Sequence, residues 1–185
     1  AEVIRRVVYE TEVFKGVVEM ERSNIAERSS KLFPFSGIYS ASKNLIDLEK
    51  NKKIDQHVNL VSLFWDTVGD NMDQWRGVRI GNLSATEVRR DYIHTHVIIL
   101  QALGIAGKDL MSQFPNNWKT KIKNLKKINW LKNNPEWHQR VIVNGRVVKN
   151  SNSIILAANL IKKALGAKLS VKEKALESNM KKNGK

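Results

Sequence analysis

Apolar residues recur at helical spacing along most of the chain. Ile54, Val58, Val61, Trp65 and Val68 form one stripe, and Gly69 marks its end. Ser84-Ala85-Thr86-Glu87 has the form of a capping box, with Leu83 and Val88 placed for a hydrophobic staple. From that box one helix is expected to run through Val88, Tyr92, Ile99 and Leu103 to Gly104, a natural C-terminal glycine. Its stretch from Val97 to Leu103 is apolar enough to be central to the core. A short helix from Gly107 to Phe114 follows, ended by Pro115. Upstream, Pro34 turns Phe33 away from the helical region. Ser36 is then expected to cap a helix carrying Ile38, Tyr39, Leu45 and Leu48. The first 21 residues stay open. Arg6 to Glu10 reads as a short strand, while Phe14, Val17, Val18 and Glu21 equally open a helix.

Beyond Pro115 the pattern changes. Trp118, Ile122, Leu125 and Ile128 make an apolar helical stripe, with Lys119, Lys123, Lys126 and Lys127 on the opposite face. Asn133-Asn134-Pro135 breaks that run. Asn144-Gly145, between Arg140-Val141-Ile142-Val143 and Arg146-Val147-Val148-Lys149, is a hairpin signal. Pairing across it sets Ile142 against Val147, Val141 against Val148, and Arg140 against Lys149. Two like charges directly opposed are unfavourable without a counter-charge. Ile154, Ala158, Ile161 and Leu165 predict a further helix closed by Gly166, with Lys162 and Lys163 on its outer face. Ser170-Val171-Lys172-Glu173 is a second capping box opening a terminal helix. The expected fold is mainly α, a helical domain with one small β-hairpin near the C-terminal third. The 185 residues, 42% of them apolar, suit a single domain spanning 1–185.

Charge divides that domain. From Pro115 to Lys185 there are 17 Lys and Arg against Glu136, Glu173 and Glu177, whereas Ala1 to Phe114 holds 15 of each sign. The whole net charge of +14 therefore belongs to a basic helix–hairpin–helix part, 115–185, set beside a neutral helical core, 1–114. Such a field repels itself, and a polyanion relieves the repulsion. Nucleic acid is the first such partner to consider. Lysines 119–127 would lie along a phosphate backbone, and Arg140, Arg146 and Lys149 would surround a ribbon able to straddle a groove. Trp130 and Trp137 are either base-stacking platforms or core residues; core packing is the favoured reading.

Other chemistry finds little support. The chain has no cysteine, which excludes disulfides and thiolate metal sites. His94 and His96 are two apart, so on a helix they point in different directions, and no third ligand is recognisable. They are expected to be satisfied by neighbours in or near the core. Asp91 and Glu87 lie one turn apart, but pairing with Arg89 or Arg90 is the simpler expectation. There is no glycine-rich phosphate loop, nucleophile elbow or paired-Asp motif. No catalytic residue, metal or cofactor is expected. No apolar run approaches the roughly 20 residues of a membrane helix, and the start lacks the order of a signal peptide. The expected location is cytoplasmic and nucleoid-associated.

Several stretches together resemble one family. They are Glu19 to Phe33, Arg90 to His96, Leu100 to Gly104, Ile128-Asn129-Trp130, Asn134 to Trp137, and Asn144 to Lys149. In this order they resemble the DNA sulfur modification protein DndB family. The resemblance implies a prokaryotic protein linked to phosphorothioate modification, in which sulfur replaces a non-bridging phosphate oxygen of DNA. It implies a DNA-binding transcriptional repressor of the modification genes. Family members also carry an N-terminal domain with an Asp-Gly-Gln-Arg type motif, related to ParB and sulfiredoxin nucleotide-binding domains. That motif is absent here, and the chain starts at Ala1, so a C-terminal portion is expected, without the nucleotide chemistry of that domain. Charge and geometry, rather than the resemblance, give the expected contacts on double-stranded DNA: Lys119, Lys123, Lys126, Lys127, Arg140, Arg146 and Lys149. A homodimer would suit a repressor. The alternative is a protein-interaction module that docks on other DNA sulfur modification proteins without binding DNA by itself.

Overall fold

A computed structural model of the chain describes residues 1–46 and 53–183. The described residues form nine α-helices, two short 3-10 segments and two ribbons of paired two-residue strands. The mainly-α expectation with a small hairpin holds.

The open N-terminal stretch resolves into helix α1, Glu2–Glu10. Val7 and Val8 are both buried, which a half-buried strand, alternating its faces, could not arrange. The helix expected from Phe14, Val17, Val18 and Glu21 does not form. A series of turns around Gly16, at φ +74°, leads to β1, Val18–Glu19, which pairs in parallel with β2, Phe33–Pro34. Helix α2, Phe35–Leu45, follows at once. Its N-cap is Pro34, so Ser36 is no cap; it sits inside the first turn, its carbonyl accepting from the Ser40 hydroxyl at 2.9 Å. Leu48, expected on the same helix, lies outside the described residues.

Helix α3, Ile54–Gly69, matches its predicted stripe, with Val58, Val61, Trp65 and Val68 fully buried. Helix α4, Asp73–Arg79, buries Trp75 and had no clear signal in the sequence. Ser84 caps α5, Ala85–Asp91, as expected. That helix then stops. Ile93 N–H donates to the Trp130 carbonyl at 2.9 Å, and Lys132 N–H donates to the Asp91 carbonyl at 2.9 Å. An antiparallel bridge links Tyr92 and Leu131. The backbone at 91–93 thus bonds to a distant segment instead of its own helix.

The chain re-enters a helix as α6, Val97–Gln113, through which Gly104 passes without a break. Its role is close approach rather than termination. A methyl group there would collide with the Ala41 carbonyl oxygen of α2, and one at Gly37 would stand 2.9 Å from Val97 Cγ2. Two glycines facing across the α2–α6 contact let the backbones meet. α6 also packs against α8, Ser151–Leu165, so the most apolar helix stands between the neutral and basic parts. A single apolar core runs from Ile4 to Ala167 across the charge step.

Helix α7, Trp118–Ile122, continues as a 3-10 segment, Lys123–Lys127, and a second 3-10 segment spans Pro135–Trp137. Trp118, Ile122, Leu125 and Ile128 are all buried. Trp130 and Trp137 stack on each other, ring centroids 5.5 Å apart and planes 18° from parallel. Both are buried, and their indole N–H groups are held by the Leu125 and Asn129 carbonyls. They are core residues, not base platforms.

The hairpin forms as predicted from β3, Ile142–Val143, and β4, Arg146–Val147, with Ile142 opposite Val147. Asn144 at φ +50° and Gly145 at φ +72° give the left-handed pair such a turn requires. α8 ends in left-handed Gly166. Ser170 and Glu173 form the reciprocal capping bonds that open α9, Val171–Asn183.

Candidate nucleic-acid interface

Lys119, Lys123, Lys126 and Lys127 all stand exposed on α7 and the 3-10 segment, opposite the buried stripe that anchors them. Lys126 lies 3.8 Å from Asp73; two such exposed groups hold each other weakly. Lys119 sits 5.7 Å above the Trp118 ring. Arg146 and Lys149 are exposed on the hairpin.

Arg140 is a correction. It does not oppose Lys149. Gln139 adopts φ +61°, and its N–H bonds back to the Ile142 carbonyl at 2.9 Å. That kink ends the strand and turns the Arg140 side chain inward. Its guanidinium makes a two-pronged pair with Glu177 of α9 and donates to the Leu156 carbonyl of α8. Both partners are less than a tenth exposed, 8% and 7%. Burial alone would raise the Glu177 carboxyl. Hydrogen bonds from Arg140 and Lys163, with their charges, outweigh burial and hold it at about 2. Arg140 ties hairpin, α8 and α9 together and is not open to a ligand.

Lys162 departs from expectation in the same way. It is fully buried, with its ammonium paired to Glu173 at 2.6 Å and to Asp109. Burial opposes ionisation of Glu173, but the Lys162 and Ser170 contacts prevail and lower it. Glu173 and Glu177 are thus taken up by Arg140, Lys162 and Lys163, leaving Glu136 as the remaining acid after Pro115.

His94 is satisfied as expected, whereas the His96 ring makes no hydrogen bond among the described residues. His94 is fully buried: Trp75 Nε1 donates to its Nδ1 at 3.0 Å, and its Nε2 lies 3.2 Å from Gln74 Oε1. Tyr92 stacks on its ring at 5.2 Å. Burial, with a smaller contribution from His96, lowers its pKa to about 3. His96, the N-cap of α6, is lowered to about 4 by burial and then by Lys132 and Lys149. Asp91 pairs with Arg90 at 2.8 Å. Among the described residues no group of three or more His, Asp or Glu side chains could hold a metal ion, and no helix is long and apolar enough to cross a membrane.

Val147 and Lys149 of the hairpin and His96 and Val97 at the start of α6 line one pocket, which places the hairpin beside that helix start. Arg89 and Thr95, with Ser23 and Asn24 from the loop after β1, also line this pocket of about 230 Å³. Arg89 uses its guanidinium to clamp the carbonyls of Ala26, Ser29 and Lys31. Burial lowers its pKa, but a guanidinium stays charged. Lys132 donates to the Arg89 carbonyl at 2.8 Å. Of the predicted contact residues only Lys149 lines this pocket. Arg89, Thr95, His96 and Lys132 were not singled out as contacts by sequence. A visible signal lay in the resembling stretches, since Glu19 to Phe33, Arg90 to His96 and Asn144 to Lys149 all contribute to this one pocket.

The model of the family described as DndB, DNA-sulfur modification-associated, matches residues 1–168. The chain belongs to that family. No curated protein and no solved structure matches it.

Proposed function

We propose that this chain binds duplex DNA as a regulator of DNA sulfur modification genes, docking through Lys119, Lys123, Lys126, Lys127, Arg146 and Lys149. The observation that carries the reading is the row of exposed lysines on α7 and the 3-10 segment that follows it. Two of the three glutamates after Pro115 pair with Arg140, Lys162 and Lys163, whereas these five lysines and Arg146 stand exposed at the surface. These cations supply phosphate contacts, which position a protein on DNA without reading its sequence. Membership of a family associated with DNA sulfur modification supports DNA as the polyanion. The chain itself carries out no reaction in this reading.

Six phosphate contacts would give a slope of about −5 in log affinity against log salt. Titration of a labelled duplex at several salt concentrations measures it, and a slope near zero refutes the proposal. Changing Lys123, Lys126 and Lys127 together to Ala should weaken binding to every duplex alike and flatten that slope by about 3. A changed sequence preference would mean that these side chains read bases.

A further inference from the structure

The pocket beside Lys149 has the chemistry of an anion seat. Helix α6 is 17 residues long and starts at Val97 without a side-chain cap. The Val97 and Ile98 N–H groups have no hydrogen-bond partner among the described residues, and both residues line the pocket. The end of the helix dipole there is positive. Independently of the helix, Thr95 is 5% exposed and faces the same pocket, and its hydroxyl has no partner among the described residues. The hydroxyl oxygen itself is not sealed from solvent, so it is available to a ligand's acceptor from the pocket side. Arg89 and Lys149 bring two charges that no carboxylate among the described residues pairs, and no Asp or Glu lines the pocket. Apolar walls from Leu32, Pro34 and Val147 strengthen polar bonds made inside.

We propose that this pocket binds one phosphate group, held by the Val97 and Ile98 amides, the Thr95 hydroxyl and the Lys149 ammonium, with Arg89 behind it. The phosphate comes either from a nucleic-acid backbone or from a free nucleotide. The pocket does not depend on the DNA-binding reading above, because a single phosphate is enough to fill it.

The test is amide and histidine NMR of the whole chain, titrated with inorganic phosphate against chloride at equal ionic strength. The expected result is saturable shifts at Thr95, Val97 and Ile98 and at the His96 ring. Thr95→Val, which keeps the side-chain shape, and Lys149→Gln, at an exposed position, should each weaken phosphate about tenfold or more. Adenosine 5′-monophosphate and a duplex with 5′-hydroxyl ends then separate the two sources. A pocket response to the mononucleotide alone assigns a free ligand, and a duplex response lost in Lys149→Gln assigns a backbone diester. Silence of these amides with all three probes overturns the proposal, as do shifts that both variants leave unchanged. Duplex binding with a silent pocket would refute the pocket and spare the DNA reading. Phosphate binding without duplex binding would do the reverse.

Discussion

Lowering the pH from 7 to 5 should remove about 4 kcal/mol of folding stability, and two histidines account for it. His94 and His96 titrate at about 3 and about 4 in the folded chain, against 6.5 when unperturbed. Unfolding at pH 5 therefore takes up close to two protons. The sign follows from linkage: stability falls wherever the unfolded state binds more protons. The two imidazoles cost nothing above pH 6.5, and the loss grows as pH falls towards 4. Each contributes about 1.4 kcal/mol per pH unit in that window, so 1.5 units below 6.5 gives about 2 kcal/mol apiece. The glutamates do not confuse the reading, because Glu173 and Glu177 have folded values below 4.5 and act only at lower pH. Against a typical total of about 5–15 kcal/mol the effect is large. Urea unfolding at pH 7, 6 and 5 measures it, followed by tryptophan fluorescence in buffers free of phosphate. Trp75 and Trp130 lie against His94 with ring centroids 5.7 Å away. His94→Asn, whose amide oxygen can still accept from Trp75, should remove about half of the pH slope. Equal stability at pH 5 and 7, or native His94 and His96 resonances titrating near 6.5, would refute the reasoning.

Two further substitutions probe how the basic part is held. Arg140→Met leaves the Glu177 carboxylate buried beside Lys163 alone, which should cost about 3–5 kcal/mol and lower Tm by about 10 °C in a chain of this size. Measured on folded protein, its DNA affinity should match the wild type; a loss there as large as that of the triple lysine variant would return Arg140 to the interface. Gly104→Ala should destabilise by about 1–3 kcal/mol despite alanine's better helix propensity, because its methyl group meets the Ala41 carbonyl. A gain in Tm would show that α2 and α6 have slack between them.

The parts legible in the sequence were those fixed by local chemistry. The stripe of α3, both capping boxes, the Asn144-Gly145 turn and Gly166 depend on residues a few positions apart, and each appears where the pattern put it. What the pattern missed was decided by partners far along the chain. The helix expected through Tyr92 is cut because Trp130 and Lys132 bond to the backbone at 91–93, and Gly104, which looks locally like a stop, answers instead to Ala41 on another helix. Charge was legible as a sum and not as a surface. In a stretch with 17 cations and three acids every lysine and arginine looks free. Yet the scarcity of acids is what makes their placement decisive: Glu173 and Glu177 each bind a cation that burial would otherwise forbid, and so select Arg140 and Lys162 for the interior. The same interruption that defeats the periodic reading at Tyr92 creates the uncapped start of α6 and brings Thr95, Arg89 and Lys149 to one pocket. The departure from local pattern therefore coincides with the pocket proposed to seat a phosphate, the kind of place where a site can override local propensity.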